Sequence, residues 1–131
     1  MKKVLFLGLS VVALFSFNMV DGKMYKCKTE GLSFSDGNTT KNIPLTPKTE
    51  PLIKNSLKNF FEIKVKKIKN IVDIKVGKDE GNLTFVGKWR GYDRYQDVMS
   101  SIIFMPDKNS STNNAALIIP SQRLIIFYKC Q

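Results

Sequence analysis

From Leu52 onward apolar residues recur at helical spacing, with Ile53, Leu57, Phe60 and Phe61 on one face at i, i+4, i+7 and i+8. Thr49 is placed to cap this segment and Pro51 is tolerated in a first turn. The pattern therefore predicts one helix near residues 50–60. Beyond Phe61 two continuations compete. Val65, Ile68, Ile71 and Val72 would extend the same stripe to give one long helix. Yet Phe61, Ile63 and Val65 alternate with Glu62, Lys64 and Lys66, and Val72, Ile74 and Val76 alternate with Asp73 and Lys75. Alternation among β-branched residues favours two strands joined near Lys67 to Asn70.

Elsewhere the pattern is one of strands and turns. Residues 24–34 set Tyr25, Cys27 and Thr29 on one side of a first strand, and Ser35-Asp36-Gly37-Asn38 reads as a turn. Pro44 and Pro47 make 39–47 an irregular link. Gly77 to Asn82 is a turn by composition, and Leu83, Phe85, Gly87 and Trp89 share one face of the next strand. After the polar and aromatic stretch Gly91 to Asp97, Met99 to Met105 is apolar enough for a strand buried on both faces. Lys108 to Asn114 is loop-like. Ala115–Ile119 and Arg123–Cys130 form a terminal hairpin across Pro120-Ser121-Gln122. The expectation is an α+β fold: a single antiparallel β-sheet of about six or seven strands, able to curl toward a barrel, with the one helix packed against it.

The first residues change the setting. Met1-Lys2-Lys3 is a short cationic start, and Val4 to Val20 carry no charge, which is the pattern of a secretory leader. Val20-Asp21-Gly22 offers a cleavage site with Gly22 last, giving 1–22 as a cleaved signal peptide and 23–131 as one disulfide-linked domain; a cut after Asn18 is the alternative. A retained anchor is the rival, since this apolar run approaches the roughly 17 residues that can cross a bilayer. No Cys follows a small-residue tripeptide as lipidation requires. A cleaved product would be periplasmic or secreted, without a stable membrane span, and the Lys-Lys leader has a bacterial look. In a eukaryotic pathway the sequons at Asn38, Asn82 and Asn109 would matter.

Export gives the two cysteines a partner in each other. Cys27 and Cys130 sit in the matching tripeptides Tyr25-Lys26-Cys27 and Tyr128-Lys129-Cys130, and in an oxidising compartment they pair. A redox pair lacks the Cys-x-x-Cys spacing.

Charge adds a surface to this frame. Removing Lys2, Lys3 and Asp21 takes Lys plus Arg from 21 to 19 and Asp plus Glu from 11 to 10, leaving +9. Such a surplus suits anionic glycans or lipid headgroups; nucleic acid is not the expected partner of an exported chain. Lys-rich composition is also what an AT-rich coding sequence produces. Between Lys54 and Lys78 eight lysines face Glu62 and Asp73, a net +6. Within it Lys64, Lys66, Lys67 and Lys69 are the candidate anion contacts, Lys64 and Lys66 opposite Ile63 and Val65. Lysines also blunt a sheet edge. The second candidate surface is Trp89, Arg90, Tyr92, Arg94 and Tyr95, rings and guanidinium groups suited to stacking or to a protein interface. The alternative has Trp89 buried with Phe85.

Chemistry is bounded by what is missing. There is no histidine, which removes the commonest general base and transition-metal ligand and with them Ser-His-Asp and Cys-His catalysis. No phosphate loop or calcium loop occurs, so no cofactor or metal is expected. Carboxylate pairs such as Asp93 with Asp97 or Asp79 with Glu80 arise by chance among this many acids. The chain reads as a non-enzyme.

A leader, an early Tyr25-x-Cys27, the segment Gly91-Tyr92-Asp93-Arg94-Tyr95 and the late Cys130 together resemble the small periplasmic inhibitors of C-type lysozyme. The resemblance implies a β-rich, disulfide-linked domain. Electrostatics opposes carrying over the target, because a basic lysozyme would be repelled by a chain of +9. Two functions remain in view: an envelope binding module for a protein or an anionic component, and a β-domain carrying an apolar ligand in a cavity.

Overall fold

The computed structural model describes residues 19–106 and 113–131. Nine strands appear: β1 Met24–Ser35, β2 Thr40–Pro44, β3 Glu62–Ile68, β4 Ile71–Val76, β5 Asp79–Trp89, β6 Tyr92–Gln96, β7 Ser101–Pro106, β8 Asn113–Ile119 and β9 Leu124–Cys130. One short helix, α1 Glu50–Leu57, runs into a 3-10 turn over Lys58–Phe60.

All pairings are antiparallel and follow chain order from β3 to β9, and β9 returns to β1. Eight strands thus close a barrel and β2 is an extra strand. The junction lies on β1. Its first residues, Met24 to Lys28, pair with β3, whereas Gly31 to Ser35 pair with β2. A bulge between Thr29 and Gly31 lets the opposite edge stay paired to β9 while the partner changes. Gly31 is needed there, because a Cβ would stand 3.0 Å from the Ile43 carbonyl oxygen and 3.2 Å from Pro44 Cα.

The helix spans the gap where β1 leaves β3. Ile53 and Leu57 are buried, one turn apart, and Phe61 completes the apolar wedge. Its end is tied to the barrel by polar contacts. The Thr29 hydroxyl donates to the Phe61 carbonyl at 2.8 Å, and the Tyr128 hydroxyl donates to the Phe60 carbonyl at 2.6 Å. Thr49 stands at the N-cap, but its hydroxyl does not cap; it donates to the Pro44 carbonyl at 2.7 Å and accepts from the Thr46 N–H at 2.8 Å.

Inside the barrel, alternate residues of each strand meet: Tyr25, Ile63, Val65, Val72, Leu83, Tyr95, Ile102, Leu117, Ile126 and Tyr128 are buried in one cluster. Full burial of a large apolar side chain contributes roughly 1.5–3 kcal/mol, so this interior is the main source of stability. Cys27 and Cys130 are directly opposed on β1 and β9 and joined by a disulfide, Cα to Cα 4.0 Å.

Met19 is buried in the same cluster. The Val20 N–H donates to the Tyr25 hydroxyl at 3.0 Å, and the Gly22 N–H to the Lys67 carbonyl at 2.7 Å. Among the described residues no helix is long and apolar enough to cross a membrane.

The helix-plus-hairpin reading of 50–76 holds, with the turn at Lys69-Asn70 and the Lys69 backbone left-handed. The sheet has more strands than the six or seven expected. Thr40–Pro44 is a strand and not a link, since β1 offers it a free edge and only Ile43 needs partial cover. The turn after β4 is Gly77-Lys78 alone. Asp79 to Asn82 already pair with β4 at the barrel rim, where both strand faces meet solvent and polar residues are admissible. Gly91 supplies a hairpin turn at φ +86°, and Tyr92–Gln96 forms β6. Most of the expected 108–114 loop lies outside the described residues.

Candidate functional site

The alternation that sends Tyr25, Cys27 and Ile63 inward sends Lys26, Lys28 and Lys64 outward. Register then decides which of these charges meet. Lys26 is directly opposite Lys64, and Lys64 is directly opposite Lys75. One row of three ammonium groups therefore crosses β1, β3 and β4, spanning about 10 Å at the usual strand spacing. Beside it Lys28 faces Lys129 across the β1–β9 seam.

These five lysines line an outer groove of about 950 Å³ together with Leu45, Glu30 and Glu62. Glu30 lies 3.7 Å from Lys129, and Glu80 lies 3.8 Å from Lys75 at the far end of the row. Among the described residues no carboxylate pairs with Lys26 or Lys64. Like charges directly opposed on neighbouring strands destabilise a sheet, so this row is electrostatically incomplete in the free protein. It can receive anionic oxygens. Among the described residues no group of three His, Cys, Asp or Glu gathers to hold a metal.

The sequence candidates divide. Lys64 belongs to the groove. Lys66 is half-buried and directly opposite Asp73. Lys67 is turned to the barrel mouth, where its ammonium pairs with Asp21, and the Lys69 N–H donates to the same carboxylate at 3.0 Å. These two contacts hold the Asp21 carboxyl below its ordinary range, the Lys67 bond being the larger cause.

The aromatic and arginine segment divides as well. A bulge at Val86 shifts the register between Phe85 and Gly87, so Phe85 stays in the barrel while Trp89 turns outward, 39% exposed. Trp89 is directly opposite Tyr92, and Arg90 stacks on the Trp89 ring at 4.6 Å. Arg94 is half-buried; its Nη2 donates to Ser101 Oγ at 3.1 Å. Tyr95 is a core residue between Phe85 and Phe104, and burial pushes its phenol up to about 12. Only Trp89, Arg90 and Tyr92 remain as a surface group.

Lys75 lay within the lysine run, but Lys26, Lys28 and Lys129 were not apparent as site residues, because two strands at opposite ends of the sequence contribute them. The available signal was a lysine between two inward residues, as in both Tyr-Lys-Cys tripeptides. No protein-family model, curated protein or solved structure matches this chain.

Proposed function

We propose that the chain is an exported binding module whose outer groove takes an anionic component of the cell envelope. The observation that carries this reading is the row Lys26, Lys64 and Lys75, three cations in direct cross-strand register that have, among the described residues, an acidic partner only at the Lys75 end. A row of phosphate, sulfate or carboxylate groups would supply the missing countercharge. The disulfide suits the oxidising compartment that a secretory leader implies.

The test is retention of the exported protein on an immobilised sulfated polysaccharide, with a salt gradient. The pair Lys26→Glu and Lys64→Glu removes retention, whereas Lys41→Glu and Lys48→Glu, placed outside the groove, leave most of it. Equal loss from both pairs would reduce the interaction to net charge and overturn the reading.

A second reading, contact with an envelope protein, rests on the exposed Trp89, Arg90 and Tyr92 at the β5–β6 turn. Rings and guanidinium groups are frequent anchors of protein interfaces. Trp89→Ala would then abolish capture of one partner that persists at high salt. The reading as an apolar-ligand carrier has less support, since large side chains, three tyrosines among them, occupy the barrel interior.

A further inference from the structure

Residues Met19 to Gly22 are built into the fold as a latch over one mouth of the barrel. Each makes its own contact. Met19 is 6% exposed and belongs to the core cluster. The Val20 N–H donates to the hydroxyl of Tyr25, giving a buried phenol its partner. Asp21 accepts from the Lys67 ammonium and from the Lys69 N–H, so it neutralises a cation that points along the inward direction of β3 and also closes the β3–β4 turn. The Gly22 N–H donates to the Lys67 carbonyl, and the Lys23 N–H returns to the Val20 carbonyl at 3.2 Å, folding the segment back on itself.

The sequence offers two bonds for removal of a leader, Gly22–Lys23 and Asn18–Met19. Hydrolysis at the first would strip away the whole latch. The Tyr25 hydroxyl and the Lys67 ammonium would lose their partners, and the core beneath Met19 would open to water. Hydrolysis at the second removes none of these contacts, because all of them are made by Met19 to Lys23. From this geometry we infer that export processing cuts Asn18–Met19 and that Met19–Gly22 remain on the mature barrel. Water adds across that peptide bond under a membrane-bound signal peptidase, leaving a carboxylate on Asn18 and an ammonium on Met19. The inference rests on the export reading and selects the site within it.

The experiment is the intact mass and N-terminal sequence of the protein recovered from the envelope fraction after expression of the full chain in a bacterial host. A chain beginning at Met19 is the expected result. A chain beginning at Lys23 overturns the inference and leaves export standing; an unprocessed chain beginning at Met1 overturns both. A second measurement does not depend on the host. Chains 19–131 and 23–131, refolded with the disulfide intact, are compared by thermal unfolding, and the shorter one is expected to melt lower by about 5 °C or more. Equal midpoints would show that the latch contributes nothing to the barrel and would remove the basis of the inference.

Discussion

Cys27 and Cys130 stand directly opposite one another on β1 and β9, and both are almost fully buried. The Lys26 and Gln131 backbones exchange both hydrogen bonds beside them, 2.9 Å each. The bridge therefore seals the seam at which the ring of strands closes. Its residues are separated by 103 positions. In the chain-entropy account a loop of that size is worth about 4–5 kcal/mol. Cys27→Ser with Cys130→Ser is expected to lower the unfolding free energy by up to that amount, measured by urea denaturation, with the slope in denaturant also reporting a looser unfolded chain.

Tyr128 links the seam to the helix. Its ring is buried and its hydroxyl reaches the Phe60 carbonyl. Tyr128→Phe keeps the ring and leaves that carbonyl without its donor, which costs about 1–3 kcal/mol. Hydrogen exchange is expected to quicken in Ile53 to Phe61 more than in β4 and β5.

The latch carries a pH dependence with a defined sign. Asp21 titrates below its ordinary value of 3.8 in the folded protein because the Lys67 ammonium, and then the Lys69 N–H, hold the carboxylate. Its contribution is complete above that ordinary value and is lost as pH falls through the lower folded one. Asp21→Asn should melt below the parent at neutral pH, and the gap should close in acid. A gap independent of pH would assign the effect to shape.

Groove and stability should be opposed at Lys64. Lys64→Glu turns two like-charged cross-strand pairs, with Lys26 and Lys75, into attractive ones. Each reversal is worth about 0.2–1 kcal/mol, so the midpoint rises while retention on the sulfated matrix falls. A variant that gains stability and keeps its binding would detach the row from the ligand.

Two arginines in one hairpin should behave differently. Arg90 stacks on an exposed ring at the turn, so Arg90→Ala leaves the midpoint nearly unchanged. Arg94 is half-buried and holds Ser101 across β6 and β7, so Arg94→Ala lowers it by about 1–2 kcal/mol of stability. Parallel thermal scans distinguish the two.

The helix, the β3–β4 hairpin, the terminal hairpin and the disulfide were legible because each has a local signature: a 3.6-residue stripe, β-branched alternation, a Pro-Ser-Gln break, a matched tripeptide. What escaped is set by neighbours. Asp79 to Asn82 look like a turn until β4 supplies partners. A bulge at one residue, Val86, reverses the direction of Trp89, and composition carries no trace of it. Lys54 to Lys78 is the densest run of charge, yet of its lysines only Lys64 and Lys75 line the groove. Sheet register and closure chose the rest, bringing in Lys26, Lys28 and Lys129.

The β1–β9 seam also sets an order of events. From β3 to β9 the ring joins strands consecutive in the chain, and β1–β3 reaches only across β2 and the helix, whereas this one waits for the far end of the chain. Pairings so distant in sequence form slowly. A polypeptide threaded through a membrane with β1 leading cannot complete its cylinder until β9 has followed. It would cross as an open chain and be fastened on the far side, where thiols oxidise.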